Sequence, residues 1–204
     1  GGRVELGMGE GAGPAELHPF GVQVRSKRDR WEEAVQAIIP MFTETAWEFH
    51  GQYFDFPARN VIPKPYQKPH PPVFVSGSGS PETIDYNARM GFIPTYFTDI
   101  NTAVPLGLQY AETAKASGFN WLPGQNQNIV RHTRIGKSAD DFDRKLRDYD
   151  LDIFKNFYSV FGNHNVDPVN HDADAAFNAM KEHKFILGGT VDNAIRDWQE
   201  IYAR

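Results

Sequence analysis

The sequence predicts an α/β fold, and three observations carry the prediction. Short β-type runs alternate with segments whose apolar residues recur every three or four positions. Gly and Pro punctuate the joins between them. The strand–helix order repeats about four times, which predicts a parallel sheet with helices outside it. Two architectures satisfy this order, an open doubly wound sheet and part of a (β/α) barrel. A complete barrel needs about 250 residues, so a 204-residue chain would hold an incomplete one.

The elements follow in order. Val4, Leu6 and Met8 alternate with Arg3, Glu5 and Gly7 and predict a short strand. "GEGAGPAELHPFG" reads as loop from its Gly and Pro content. Trp31, Ala34, Val35, Ile38, Ile39 and Phe42 trace a helix face, and Pro40 should kink it or end its regular hydrogen bonding. Residues 49–72 are rich in aromatics and Pro, and predict an extended excursion with one small hairpin. "VFVS" is a buried-type strand, followed by a helix over 81–90 with Gly91 as its C′ residue. "FIPTYF" (92–97) predicts a strand, 103–117 a helix ending at Gly118, and "NIVRHTRIG" (128–136) one further strand. The longest helix spans 139–161, with Phe142, Leu146, Tyr149, Ile153, Phe157 and Val160 as its stripe. Helices near 173–183 and from 191 close the order. Thr190 is the N-cap of the last, and Ile195, Trp198 and Ile201 are its apolar face.

Composition narrows the function classes. A formal net charge of -5 argues against a general nucleic-acid binder, which needs clustered Lys and Arg. No apolar run approaches the length of about 18 residues that a membrane span requires. The chain has no Cys, which excludes disulfides, thiol catalysis and Cys-based metal sites. It opens at a strand-like run without an initiator Met and closes on a helix, so both ends look cut through structure.

The stretch "VFVSGSGSPETI" (73–84) carries the main candidate site. Ligand loops in βα units lie at the C-terminal ends of strands, where "SGSGS" falls. Ser80 fits N-cap, Pro81 N1, Glu82 N2 and Thr83 N3. A helix N-terminus leaves backbone N–H groups unpaired and favours an anion. Gly77 and Gly79 permit close backbone approach, and Ser78, Ser80 and Thr83 add hydroxyls. Locally the same residues also make a good helix start and nothing more, and a cap hydroxyl can serve both roles. Glu82 counts against an anion unless it points to solvent.

Other motifs are weaker. "GMGEGA" matches G-x-G-x-x-A, but Pro14 and Pro19 break the segment where a dinucleotide-binding helix would have to run. His164, Asp167, His171 and Asp172 read as a solvated loop rather than a metal site, and no metal is expected. His132 lies in a strand, where packing is the default.

Three strings resemble the bacterial-luciferase-like flavin monooxygenases. They are "GRVELGMGEG", "RNVIPKPYQKPHPPVFVSGSGSPETIDYNARMG" and "LGGTVDNAIRDW". The resemblance implies a (β/α)8 TIM-barrel-type fold, incomplete here. The chain, one partial barrel domain, would run from about the fourth strand to before the eighth. Catalytic residues would lie in the part N-terminal to it. The resemblance further implies reduced FMN, or a deazaflavin in one branch, with its phosphate in the loop Gly77, Ser78, Gly79, Ser80 and Thr83. Met8, Tyr96 and Phe97 would face the flavin ring. Glu10, a further cofactor-site candidate, stands where the family often carries an Arg, so that cation is missing from the fourth-strand motif; either a missing segment supplies it, or Glu10 orients the substrate or the flavin ring. The implied activity is oxidation of a small organic substrate by O2, in a cytoplasmic, homodimeric class of enzyme served by a separate flavin reductase. Two alternatives stand: a deazaflavin-dependent reductase or dehydrogenase, and a non-catalytic flavin-binding barrel subunit.

Overall fold

The computed structural model describes residues 1–77, 80–154, 173–182, 184 and 186–204. The chain divides into two compact units, Gly1–Ser76 and Gly77–Arg204.

In the first unit, strand β1 (Leu6–Met8) lies parallel to β4 (Val73–Gly77), with Leu6 opposite Val73 and Met8 opposite Val75. The segment expected as loop instead holds a four-residue helix, α1 (Pro14–Leu17), and a 3-10 turn at His18–Phe20. Pro14 and Pro19 sit in first-turn positions, where the missing N–H costs nothing. Helix α2 (Lys27–Ile38) buries Trp31, Val35 and Ala37, and gives way at Pro40 to a 3-10 turn, as expected. Strands β2 (Trp47–His50) and β3 (Asp55–Arg59) form the expected antiparallel hairpin.

Glu33 of α2 fastens that hairpin. Its carboxylate accepts from the backbone N–H of Gln52 (3.0 Å), Tyr53 (2.7 Å) and Phe54 (2.8 Å). A Cβ at Gly51 would overlap this carboxylate and displace it, so glycine there leaves the three bonds intact. Partial desolvation pushes the Glu33 carboxyl up, but the three N–H donors and Arg30 outweigh it and hold it below its ordinary value.

In the second unit, helix α3 (Pro81–Met90) ends at Gly91, whose φ of 71° is the left-handed cap that glycine adopts without strain. Strand β5 (Ile93–Tyr96) follows and pairs in parallel with β6 (Asn128–Ile129). Helix α4 runs Ile100–Ala116 and starts three residues before the expected position. A start at 103 would put Pro105 in the first turn. The Asp99 carboxylate caps earlier, accepting from Asn101 N–H (2.9 Å) and Thr102 N–H (3.1 Å), so Pro105 falls inside the helix.

The expected single strand at 128–136 is two. β6 belongs with β5, whereas β7 (His132–Ile135) pairs in parallel with β8 (Ile186–Gly189). The chain changes partner across Val130 and Arg131. β8 is a parallel strand beyond those read from the sequence, standing just before the last helix.

The long helix also departs from its expected stripe. α5 (Ala139–Lys145) passes through a π-helical turn at Leu146–Asp150 into α6 (Leu151–Ile153). The wider turn shifts the register. Leu151 and Phe154 therefore join Phe142 and Leu146 in the core, while Tyr149 and Ile153 are exposed. Phe157 and Val160 lie outside the described residues. α7 (Ala173–Glu182) completes this cluster with Ala176, Phe177 and Met180.

Helix α8 (Val191–Tyr202) has the predicted Thr190 cap, in a reciprocal box with Asn193. Its expected apolar face is only partly covered: Ile201 is half-buried and Ile195 and Trp198 are exposed, while Ala194 is buried and Asp197 accepts from Gly188 N–H (3.0 Å) and pairs with Lys184 (3.0 Å).

The packing of α3 on α4 fixes the direction of α3. Asp85 accepts from Gln109 Nε2 and Thr113 Oγ1, both at 2.9 Å, and Gln109 Nε2 also reaches the Pro81 carbonyl at 3.0 Å. Beneath these bonds Ile84, Ala88, Tyr96, Leu106 and Tyr110 form one apolar cluster. Tyr110 donates to the Phe92 carbonyl (2.8 Å), and burial pushes its phenol up to about 12.

Two expectations follow. Asp85→Ala leaves Gln109 and Thr113 without their shared acceptor, and should cost about 1–3 kcal/mol in chemical denaturation; an unchanged unfolding midpoint would contradict the lock. The lowered Glu33 carboxyl contributes stability above its ordinary value of 4.5, and that contribution is lost as pH falls through the folded-state value. Glu33→Gln should therefore weaken amide exchange protection at Gln52, Tyr53 and Phe54 at neutral pH, and the difference from the parent should shrink on acidification.

Candidate functional site

β4 delivers the chain to Gly77, which is half-buried. Ser78 and Gly79 lie outside the described residues. Ser80 has the extended N-cap backbone (φ -75°, ψ 115°) and Pro81 opens the helix, so the predicted helix start stands where the sequence placed it. Thr83 is buried, and a Cβ at Gly77 would meet its methyl group at 3.8 Å. The end of β4 and the first turn of α3 thus come together around Thr83.

The Ser80 hydroxyl makes no cap bond to the helix backbone. It donates instead to the Glu82 carboxylate at 2.6 Å. A charged acceptor two residues away competes well with a backbone N–H, because charge-assisted bonds are the shorter and stronger ones. Glu82 also complements the helix dipole from the first turn. Its carboxylate is therefore directed at the Ser80 hydroxyl, the group an incoming anion would use.

Met8 and Glu10 belong to the first unit. Met8 is half-buried at the end of β1, and a Cβ on Gly9 would stand 3.9 Å from the Ser76 carbonyl, so this motif runs beside the end of β4. The Glu10 carboxylate lies 3.9 Å from both the Lys27 ammonium and the Arg28 guanidinium at the start of α2. Lys27 also donates to the Gly11 carbonyl at 3.0 Å. The acid at position 10 is thus met by two bases.

Two residues expected near a flavin ring part company. Tyr96 is buried in the α3–α4 cluster and donates to Gln127 Oε1 at 2.7 Å; burial raises its phenol further than that of Tyr110. Phe97, just past the end of the strand, points the other way and meets the His132 ring edge-on at 5.3 Å. Alternation along the strand alone separates them. Burial lowers the His132 imidazole, Asp150 opposes that, and Arg131 and Arg134 reinforce it. Arg134 is itself held by Asp150 at 2.9 and 2.5 Å.

Sequence reasoning missed Asp85, which aims α3, and Asp99, which starts α4. Asp99 two residues before Asn101 is a readable cap signal, masked by Pro105. Asp85 gave no signal, since its partners lie on another helix. His164, Asp167, His171 and Asp172 fall outside the described residues. Among the described residues no group of three or more His, Asp or Glu is placed to hold a metal, and no helix is long and apolar enough to cross a membrane.

Known proteins resemble this chain. The luciferase-like monooxygenase family model matches residues 1–120. The oxygenase component of a flavin-dependent trigonelline monooxygenase from Acinetobacter baylyi is 26% identical over 78% of this chain and 44% of its own length. An FMNH2-dependent dimethylsulfone monooxygenase from Pseudomonas putida is 30% identical over 64% of this chain and 37% of its own. The chain therefore spans less than half the length of either relative. An F420-dependent secondary alcohol dehydrogenase, solved with an F420–acetone adduct, superposes with a TM-score of 0.73 at 18% identity, over 99% of this chain and 61% of that one. That likeness shows the fold, a (β/α)8 barrel of which the chain is a part. With the family model covering more than half of its residues, the chain belongs to the luciferase-like monooxygenase family.

Proposed function

We propose that this chain is the cofactor-phosphate-binding part of a flavin-dependent monooxygenase that oxidises a small organic substrate with O2. The observation that carries the reading is the junction of β4 and α3: Gly77, Ser80 and Thr83 gathered at the N-terminus of a ten-residue helix. That donor set fits the phosphate of FMN, since backbone N–H groups, the helix dipole and hydroxyls together recognise an anion. Ser78 and Gly79 belong to the same loop in sequence.

Bound there, reduced FMN would supply the chemistry with O2. The protein's residues would hold and orient it. The α3 N-terminus would take the phosphate in place of the Glu82 carboxylate at the Ser80 hydroxyl. The trigonelline enzyme is named as an oxygenase component. By analogy this protein would receive reduced flavin from a separate reductase, in the cytoplasm, and work as a homodimer.

A second reading, a deazaflavin-dependent reductase or dehydrogenase, is favoured by the superposition on the F420-dependent alcohol dehydrogenase. A phosphate-bearing deazaflavin would use the same helix N-terminus. O2 consumption with reduced FMN, set against hydride transfer to a deazaflavin, separates the two.

The phosphate assignment is tested in the complete protein by FMN titration. Ser80→Ala with Thr83→Ala should weaken FMN at least tenfold, given about 1.5–3 kcal/mol for a hydrogen bond to a charged group. Glu82→Gln should act oppositely and tighten FMN several-fold, because it removes a carboxylate from the Ser80 hydroxyl. Parent-like affinity in both variants would overturn the assignment.

A further inference from the structure

Arg131 stands where the chain leaves β6 and enters β7, and its charge is poorly accounted for. The side chain is half-buried. One terminal nitrogen donates to the Lys184 carbonyl. The Nε–H is shut off from solvent and has no acceptor among the described residues. Burying a cation is costly unless a counter-charge and acceptors compensate it.

Asp99, the acid that acts on Arg131 among the described residues, does not meet that need. Asp99 acts on Arg131 through space, but makes no ion-pair contact with it among the described residues. Its oxygens are committed elsewhere. Oδ1 accepts from Asn101 N–H and Thr102 N–H, and Oδ2 from the Thr102 hydroxyl at 2.7 Å and the Thr98 hydroxyl at 3.4 Å. Asp99 is thus fixed as the cap of α4 and cannot swing to Arg131 without releasing that helix. Burial pushes the guanidinium down from its ordinary value, and Asp99 offsets this only in part. The other arginine of the strand is different: Arg134 has a bidentate partner in Asp150.

We propose that Arg131 is an anion receptor, whose counter-charge is an oxyanion group of a bound ligand, either the acid group of a substrate or a cofactor phosphate. Arginine suits both, because its planar fork presents parallel N–H donors to carboxylate, sulfonate or phosphate oxygens. The Lys184 carbonyl holds one terminal nitrogen, and the other terminal nitrogen and the guanidinium charge are left to the ligand while the Nε–H stays shielded. The Arg131 receptor uses no residue of the α3 N-terminus and does not depend on the flavin reading.

The test uses the complete protein with inorganic phosphate and methanesulfonate as probes, followed through the 15Nε resonance of Arg131. Saturable movement of that resonance in the parent is expected. Arg131→Gln should weaken both anions at least tenfold, and Arg131→Lys should recover part of the loss. Arg134→Gln should change neither affinity. FMN and riboflavin then distinguish the source. An Arg131→Gln loss confined to FMN identifies a cofactor phosphate, and a loss of methanesulfonate binding with FMN unchanged identifies a substrate acid group; either supports the receptor. An Nε resonance that neither anion moves would overturn the proposal, even if Arg131→Gln fails to fold. Equal anion affinity in Arg131→Gln and parent would overturn it as well.

Discussion

The Asp85 carboxylate, shared between Gln109 and Thr113, is the constraint on which the candidate site depends. A helix N-terminus attracts an anion only in the direction it points, and these bonds set the direction of α3 against α4. Gln109 extends the lock to the Pro81 carbonyl in the first turn. The apolar cluster of Ile84, Ala88, Leu106 and Tyr110 supplies the bulk of the packing beneath. Burial of that kind is non-directional. The hydrogen bonds above it choose one rotation of the helix, and so place Thr83 inward and Ser80 at the mouth.

Electrostatics at the start of α3 are set by Glu82, whose carboxylate accepts from the Ser80 hydroxyl and leaves no strong positive field there. An anion held there would rely on dipoles, backbone N–H groups and hydroxyls, which are preorganised and need no counter-charge. Glu82 would have to yield its place. That makes the site weaker at rest than the helix alone would be, and selective for a ligand that brings binding energy from elsewhere.

Much of the fold was legible because local signals and tertiary packing agree. The Ser80–Pro81 helix start, the Gly91 end, the hairpin in the Pro-rich excursion and the Thr190 cap are all readable from residues a few positions apart. The failures are non-local. Strand 128–136 is divided because its two halves hydrogen-bond to different neighbours, which no periodicity reveals. The stripe of the long helix broke at one π-helical turn, after which Leu151 and Phe154 replaced Tyr149 and Ile153 in the core. α8 leaves Ile195 and Trp198 exposed, while its Asp197 accepts from the Gly188 N–H. At the candidate site the loop and its cap position were legible, whereas the turn of the Ser80 hydroxyl toward Glu82, the Asp85 lock and the incompletely compensated Arg131 were not.

The central claim is that the N-terminus of α3 holds a cofactor phosphate through neutral donors. A crystal structure of the complete protein with FMN bound measures it most directly. The account places phosphate oxygens within about 2.5–3.2 Å of the Ser80 and Thr83 side-chain oxygens or the first-turn N–H groups of α3, with the Glu82 carboxylate turned away. A phosphate bound elsewhere, with the Ser80–Glu82 bond intact, would contradict it.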